Sequence, residues 1–310
     1  MLLEKKYSRI QQIHFSEISD KEISLFIKRE DELHAFISGN KYRKLKYNLE
    51  EAFNQKHHTL ITFGGAYSNH IAAVAAAGFE HGFKTIGVIR GDELANNLHD
   101  VIQKNATLKF ASEHNMKFEF VSRIEYRTKT SAAFIRKLKQ KFGDFYLIPE
   151  GGTNNLAVKG CEEILTEEDV KYDIVCLAVG TGGTISGIIN SINGSQNVIG
   201  FPALKGDFLK HEIDKYVLKM NNWSLNTEYN FGGYAKIAEE LITFINKFKN
   251  ETNIPIDPVY TGKMMFGIVD LIKKNYFKKG TKILAIHTGG LQGIEGMNSL
   301  LKKKKLPLIV

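Results

Sequence analysis

Seven short apolar runs, separated by longer segments of helical periodicity, constrain the fold of this chain more than any other feature of its sequence. The runs are Thr59–Phe63, Thr85–Ile89, Phe118–Val121, Phe145–Ile148, Ile174–Val179, Val198–Phe201 and Lys282–Ile286. Several are unbroken stretches of Ile, Leu, Val and Phe, as parallel strands buried on both faces require. Their alternation with helical segments implies α/β architecture with parallel sheets. Three runs lead into glycine turns: GGAYSNH after Phe63, GTGGT after Val179 and TGG after His287. Ligands of open α/β sheets bind beyond the carboxyl ends of the strands, so three such turns point to one site assembled from distant segments.

The segment SGNKYRKLKYNLEEAF reads as a helix, with Ser38, Gly39 and Asn40 supplying turn and capping chemistry at its start. Leu45, Leu49, Ala52 and Phe53 form an apolar stripe at helical spacing. Lys41 lies four residues before Leu45, on that stripe, whereas Lys44 and Lys46 fall elsewhere and read as solvated. A lysine facing the interior is desolvated, its pKa falls, and its neutral amine can attack a carbonyl to form an imine. The same spacing also allows a packed stem whose amine reaches water.

Leu177–Gly187, LAVGTGGTISG, runs from strand through glycine turn into helix and suits a phosphate at the helix start. It is neither a Walker A loop nor a GxGxxG fingerprint, so a phosphate-bearing ligand other than a nucleotide fits it; a turn serving tight packing alone fits equally. Ser68, Asn69 and His70 open the Ala-rich helix Ile71–Gly78. The Ser68 hydroxyl can cap that helix or serve as a hydrogen-bond partner or nucleophile, but the stretch lacks the pattern of a nucleophile elbow.

Composition narrows the function classes. Apolar residues make up 43% and charged residues 25%, which excludes disorder, collagen-like repeats and coiled-coil rods. The formal charge is +8, yet only seven basic residues are Arg against 35 Lys, a balance that fits a solvated surface rather than a nucleic-acid reader. The basic run Lys302–Lys305 reads as a solvated helix end. No apolar run is long enough to span a membrane, and the N-terminal stretch carries charges where a signal peptide needs an apolar core, so a cytoplasmic location is expected. Cys161, at a helix start, and Cys176, in a strand, have the spacing of neither a disulfide framework nor a zinc site and read as buried thiols; no metal is expected.

Taken in order, Lys41 in SGNKYRKLKY, then GGAYSNH, AVGTGGTISG, DPVYTGK and IHTGG resemble the D-cysteine desulfhydrases and 1-aminocyclopropane-1-carboxylate deaminases. These are pyridoxal-phosphate enzymes (fold type II) of the tryptophan synthase β-like fold. The resemblance runs from about Leu25 to Gly296. It implies pyridoxal 5′-phosphate held as an imine on Lys41, with its phosphate cradled by Gly180, Thr181, Gly182, Gly183 and Thr184. Asn69 would bind the ring hydroxyl oxygen and Thr288 would face the pyridine nitrogen. Ser68, Asn69, His70 and Thr261 would lie near the substrate, and Tyr234 and Tyr260 match the family's two active-site tyrosines. The deaminase pattern has Glu after the DPVY tyrosine and Leu in the HxGG turn. Thr261 and Thr288 occupy those places here, as in the desulfhydrases. A neutral partner leaves the ring nitrogen less protonated and the cofactor a weaker electron sink, which suits loss of a good leaving group better than opening of a cyclopropane.

The resemblance therefore implies a lyase acting by α,β-elimination on a small amino acid: D-cysteine to pyruvate, sulfide and ammonia. The cyclopropane deaminase is the alternative, and a catalytically inactive cofactor-binding protein is the rival from another class. The Arg that often follows Ser-Asn-His/Gln in family members is missing from GGAYSNHIAAVAAAG. Two domains are implied: 46–149 as a smaller α/β unit inserted into a larger cofactor-binding one made of 1–45 and 150–310. Family members tend to form homodimers.

Overall fold

The computed structural model describes residues 2–218 and 222–310. Ten strands are β1 (Ile10–Gln12), β2 (Ser24–Lys28), β3 (Thr59–Gly64), β4 (Lys84–Arg90), β5 (Lys117–Val121), β6 (Tyr146–Ile148), β7 (Ile174–Val179), β8 (Asn197–Pro202), β9 (Trp223–Leu225) and β10 (Lys282–Ile286). They form two sheets, ordered β1-β2-β10-β7-β8-β9 and β5-β4-β3-β6. Every pairing is parallel except that of β1 with β2. The architecture is α/β, and all four strands of the smaller sheet come from 59–148.

Each of the seven apolar runs becomes a strand, with ends shifted by at most a residue. Alternate side chains serve opposite faces of the larger sheet. Cys176 and Ala178 join one core, whereas Val175, Leu177 and Val179 join another. The smaller sheet divides in the same way: Leu60 packs on one side, Ile61 and Phe63 on the other. Three strands lie outside the predicted set. β1 and β9 are three-residue edge strands, and β2 carries Lys28, whose buried amine pairs with the buried Asp169 carboxylate. Between Ser24 and Lys28 only Leu25, Phe26 and Ile27 are apolar, too short a stretch to stand out as a run.

Six helices position the site: α1 (Asn40–Asn54), α2 (Asn69–His81), α3 (Asn155–Glu162), α4 (Gly183–Ser191), α5 (Thr261–Lys273) and α6 (Gly293–Lys304). In α1, Leu45, Leu49 and Ala52 are buried as their spacing requires, but Phe53 is 64% exposed. Lys44 and Lys46 are buried rather than solvated. The reason is that α1 is covered on more than one side, by the smaller sheet's core and by α3. Its charged residues are matched there. Arg43 holds Glu30 in a bidentate pair at 2.8 and 2.9 Å, and Lys46 reaches Glu163 at 2.7 Å. Among the described residues, no side chain caps α1. Gly39 is its N-cap, and the Asn40 amide donates to the Thr288 carbonyl at 3.2 Å. Cys161 lies in the last turn of α3, not at a helix start, and both cysteines are buried and free. Lys302–Lys304 form the exposed end of α6, and the exposed Lys305 is its C-cap. Among the described residues, no helix is long and apolar enough to cross a membrane, and no group of three or more His, Cys, Asp or Glu side chains is placed to hold a metal ion.

Candidate active site

The carboxyl ends of β3, β4, β6, β7 and β10 open on one cavity of about 750 Å³. Lys41, Ser68, Asn69, His70, Tyr234, Tyr260 and Thr288 all line it, together with Gly180, Thr181, Gly182 and Thr184 of the glycine turn. Gly183 stands at the same turn: a Cβ placed on it would come 2.9 Å from the Thr153 side chain and 3.3 Å from Lys44 Nζ. Thr261 is the exception. It is fully buried at the start of α5, off the cavity wall, where its Oγ1 donates to Asp257 Oδ1 at 2.7 Å. Asp257 also accepts the backbone amides of Val259, Tyr260 and Thr261, so this pair builds the turn that presents Tyr260.

Lys41 sits in the first turn of α1, and its Nζ donates to Asn40 Oδ1 at 3.1 Å. Asn40 in turn donates to Thr184 Oγ1 at 2.8 Å, linking the lysine to the glycine turn. Desolvation, reinforced by the neighbouring Lys44 charge, brings the Lys41 amine down to about 7. It is therefore largely neutral at slightly alkaline pH.

Lys44 was not expected here. It lies one turn after Lys41, and residues three apart share a helix face. Its Nζ donates to the Gly151 carbonyl and Thr153 Oγ1, each at 3.0 Å, and to Thr181 Oγ1 at 3.4 Å. Burial lowers its pKa as well. This amine lies under a turn whose Gly182 has φ +88 and caps α4, so that backbone N–H groups open the helix. Backbone N–H groups and an amine meet at one place, the donors that an anion needs.

Ser68 caps α2, accepting from the Ile71 amide at 3.4 Å. Among the described residues, the Asn69 amide oxygen is buried without a hydrogen-bond partner. His70 Nε2 lies 2.8 Å from Thr62 Oγ1. Desolvation, then the charges of Lys41 and Lys44, hold the imidazole well below its usual range, and it is neutral. Tyr234 and Tyr260 face each other with ring centroids 6.1 Å apart. Desolvation raises both phenols above the ordinary tyrosine range, so each carries its proton at neutral pH.

Tyr234 belongs to a loop in which Phe231, Gly232, Gly233 and Ala235 all have positive φ. The buried Lys263 on α5 holds that loop, donating to the carbonyls of Asn230 at 2.9 Å and Gly233 at 2.7 Å. It lies in the DPVYTGK segment, three residues after Tyr260, so one amine ties together the supports of both tyrosines. The Cys161 thiol, pushed up to about 11 by burial, is no nucleophile.

Comparison with known proteins fits this geometry. The family model described as "Pyridoxal-phosphate dependent enzyme" matches residues 10–289. A provisional 1-aminocyclopropane-1-carboxylate deaminase of Pyrococcus horikoshii is 32% identical over 287 residues, covering 87% of this chain and 85% of its own. A mitochondrial bifunctional D-cysteine desulfhydrase/1-aminocyclopropane-1-carboxylate deaminase of Arabidopsis thaliana is 32% identical, covering 87% of this chain and 73% of its own. The crystal structure of a protein described as an ACC deaminase homologue superposes with a TM-score of 0.81 at 28% identity, covering 98% of this chain and 95% of that one.

Proposed function

The chain belongs to the pyridoxal-phosphate dependent enzymes, as a lyase of the deaminase and desulfhydrase type, and we propose that it eliminates the β-substituent of a small D-amino acid, with D-cysteine as substrate. The observation that carries this reading is Lys41: a desolvated amine in a cavity shared with an anion cradle and two protonated phenols.

The residues present fit the cofactor. Gly180, Thr181, Gly182 and Thr184 line the cavity, a Cβ at Gly183 would press on Thr153 and Lys44, Lys44 supplies an amine beneath the turn, and the unpartnered Asn69 amide oxygen marks a polar position awaiting a partner. Lys41 would hold the aldehyde end, the turn and Lys44 the phosphate, and Asn69 the ring hydroxyl. When bound, pyridoxal phosphate supplies an electron sink conjugated with the substrate α-carbon.

The chain's own groups supply the rest. Lys41 Nζ, its pKa lowered to about 7, takes the α-proton in its neutral form. Ser68 and Asn69, at the start of α2, orient the substrate carboxylate. Tyr234 and Tyr260 keep their protons and act as donors, for which a thiolate leaving group is the acceptor. Thr288, a neutral side chain on the cavity wall, would face the ring nitrogen and favours elimination of a good leaving group over cyclopropane opening. Buried Thr261 contributes through the Tyr260 turn rather than by touching substrate. The division into 46–149 and the remainder, a homodimer and a cytoplasmic setting belong to the same proposal; the division at 45/46 falls within α1.

The test is a substrate panel with keto acid and sulfide both measured. Pyruvate and sulfide in equal amounts from D-cysteine are expected. The second reading, a 1-aminocyclopropane-1-carboxylate deaminase, is favoured by the names of the relatives. Release of 2-oxobutyrate from that substrate exceeding sulfide release from D-cysteine would establish it instead. Bound cofactor with no keto acid from any D- or L-amino acid would identify an inactive binding protein.

Lys44 gives an independent check on the cradle. Lys44→Gln is expected to weaken pyridoxal-phosphate binding by roughly 10- to 100-fold, because a charge-assisted contact to the phosphate is lost. Binding of pyridoxal, which has no phosphate, should change far less. Equal weakening of both in titrations of the cofactor-free protein would remove Lys44 from the phosphate site.

A further inference from the structure

Arg90 is the last residue of β4, at the carboxyl end of the smaller sheet, and lines the cavity. Its surroundings fix its place but leave its charge unmatched. The guanidinium lies 5.7 Å from the centre of the Tyr126 ring, and Nη2 stands 3.8 Å from where a Cβ on Gly65 would sit. Gly65 begins the turn that leads to Ser68 and Asn69, so the cation flanks the proposed substrate position.

The nearby carboxylate is already engaged. Glu150 Oε1 accepts from the Tyr126 hydroxyl at 2.8 Å, and Oε2 pairs with Lys129 Nζ at 3.1 Å. Lys129 also lies 4.7 Å from the centre of the Tyr126 ring. Among the described residues, the Arg90 guanidinium forms no ion pair and no hydrogen bond. The mouth of the cavity thus presents one surplus positive charge, steadied by an aromatic face and carrying free planar donors.

We propose that Arg90 forms a subsite for an anionic oxygen group on the substrate's β-substituent: a sulfate ester, phosphate ester or carboxylate. The inference rests on the elimination reading above and widens its substrate class from the thiol to amino acids whose leaving group bears a negative charge. For D-serine O-sulfate, Lys41 takes the α-proton and the β-carbon–oxygen bond breaks, with sulfate leaving on the bonding pair. Hydrolysis of the remaining skeleton with one water gives pyruvate, ammonium, sulfate and a proton. No oxidant or reductant is needed.

The experiment compares D-serine O-sulfate with β-chloro-D-alanine, whose substituent is neutral, in the holoenzyme and in Arg90→Gln. The side chain is exposed, so the variant is expected to fold and load cofactor normally. For the sulfate ester, kcat/KM should fall roughly 10- to 100-fold, and the loss for β-chloro-D-alanine should be at least tenfold smaller. Arg90→Lys should recover part of the loss. Equal losses on both substrates would assign Arg90 to the α-carboxylate and overturn the subsite, as would no loss on either. If the wild-type enzyme turns over neither compound, the elimination reading fails by itself. The subsite is then decided by the concentration of D-serine O-sulfate that perturbs the bound cofactor's absorbance: a concentration at least tenfold higher in Arg90→Gln supports it, and an unchanged one overturns it.

Discussion

Replacing Lys41 by alanine is expected to abolish turnover and to remove the visible absorbance band of the bound cofactor. Loss of a positioned base alone lowers rates by about 10²- to 10⁴-fold, and in the proposed site the same amine also anchors the cofactor. The substitution shortens a partly buried side chain in the first turn of α1, leaving the Arg43–Glu30 pair and the Leu45 and Leu49 packing in place. The variant should therefore remain folded, and its failure can be read as chemistry. The wild-type amine carries a second expectation. Its pKa is lowered to about 7, so it is ammonium below that pH and neutral above it. The rate at which cofactor-free protein takes up pyridoxal phosphate covalently should rise with pH through about 7 and level off. An ordinary lysine, with a pKa near 10.4, would still be gaining at pH 9.

The second large effect is expected at Gly39. Its φ of +60 and ψ of −141 belong to a region that side chains rarely tolerate, and an added Cβ would come within 2.0 Å of the Thr288 carbonyl oxygen. The neighbour is backbone, held by the Asn40 amide, and cannot step aside without moving the start of α1 away from β10. Gly39→Ala should lower stability by about 3 kcal/mol, a fall in Tm of roughly 5 °C for a chain of this size. It should also displace Lys41, two residues on, and weaken cofactor loading. Calorimetry with and without cofactor checks both; an unchanged Tm would mean that the α1–β10 contact tolerates separation.

The strands and glycine turns were legible because parallel strands sandwiched between helices must be apolar on both faces. Runs such as IVCLAV therefore announce themselves, and their carboxyl ends locate the site. Spacing alone left Lys41, on the Leu45–Leu49 stripe, as either a desolvated amine or a packed stem reaching water, and only the ordered motifs made it legible. Lys44 and Lys46 were not, because helical spacing says which residues share a face but not how many faces are covered. A helix covered both by the smaller sheet's core and by α3 buries charges that a surface helix would leave in water, and their partners, such as Glu163 and the Gly151 carbonyl, lie more than a hundred residues away. Motif order placed Thr261 near the substrate, but the residue after Tyr260 turns inward to Asp257. Lys263 was in plain view within DPVYTGK, yet its role depends on a loop whose Phe231 and Ala235 adopt positive φ, a conformation those residue types do not signal. Arg90 had a signal of its own: an arginine closing the apolar run TIGVI, at the carboxyl end of a strand, where ligands bind.

The claim on which the account depends is that pyridoxal phosphate attaches to Lys41 and to no other lysine. Lys44 and Lys263, also buried and with lowered pKa values, are the credible competitors. Borohydride reduction of the cofactor-loaded protein, followed by mass mapping of the tagged peptide, separates the three. A single reduced adduct on Lys41 is expected; an adduct on Lys44 or Lys263, or none at all, would contradict the account.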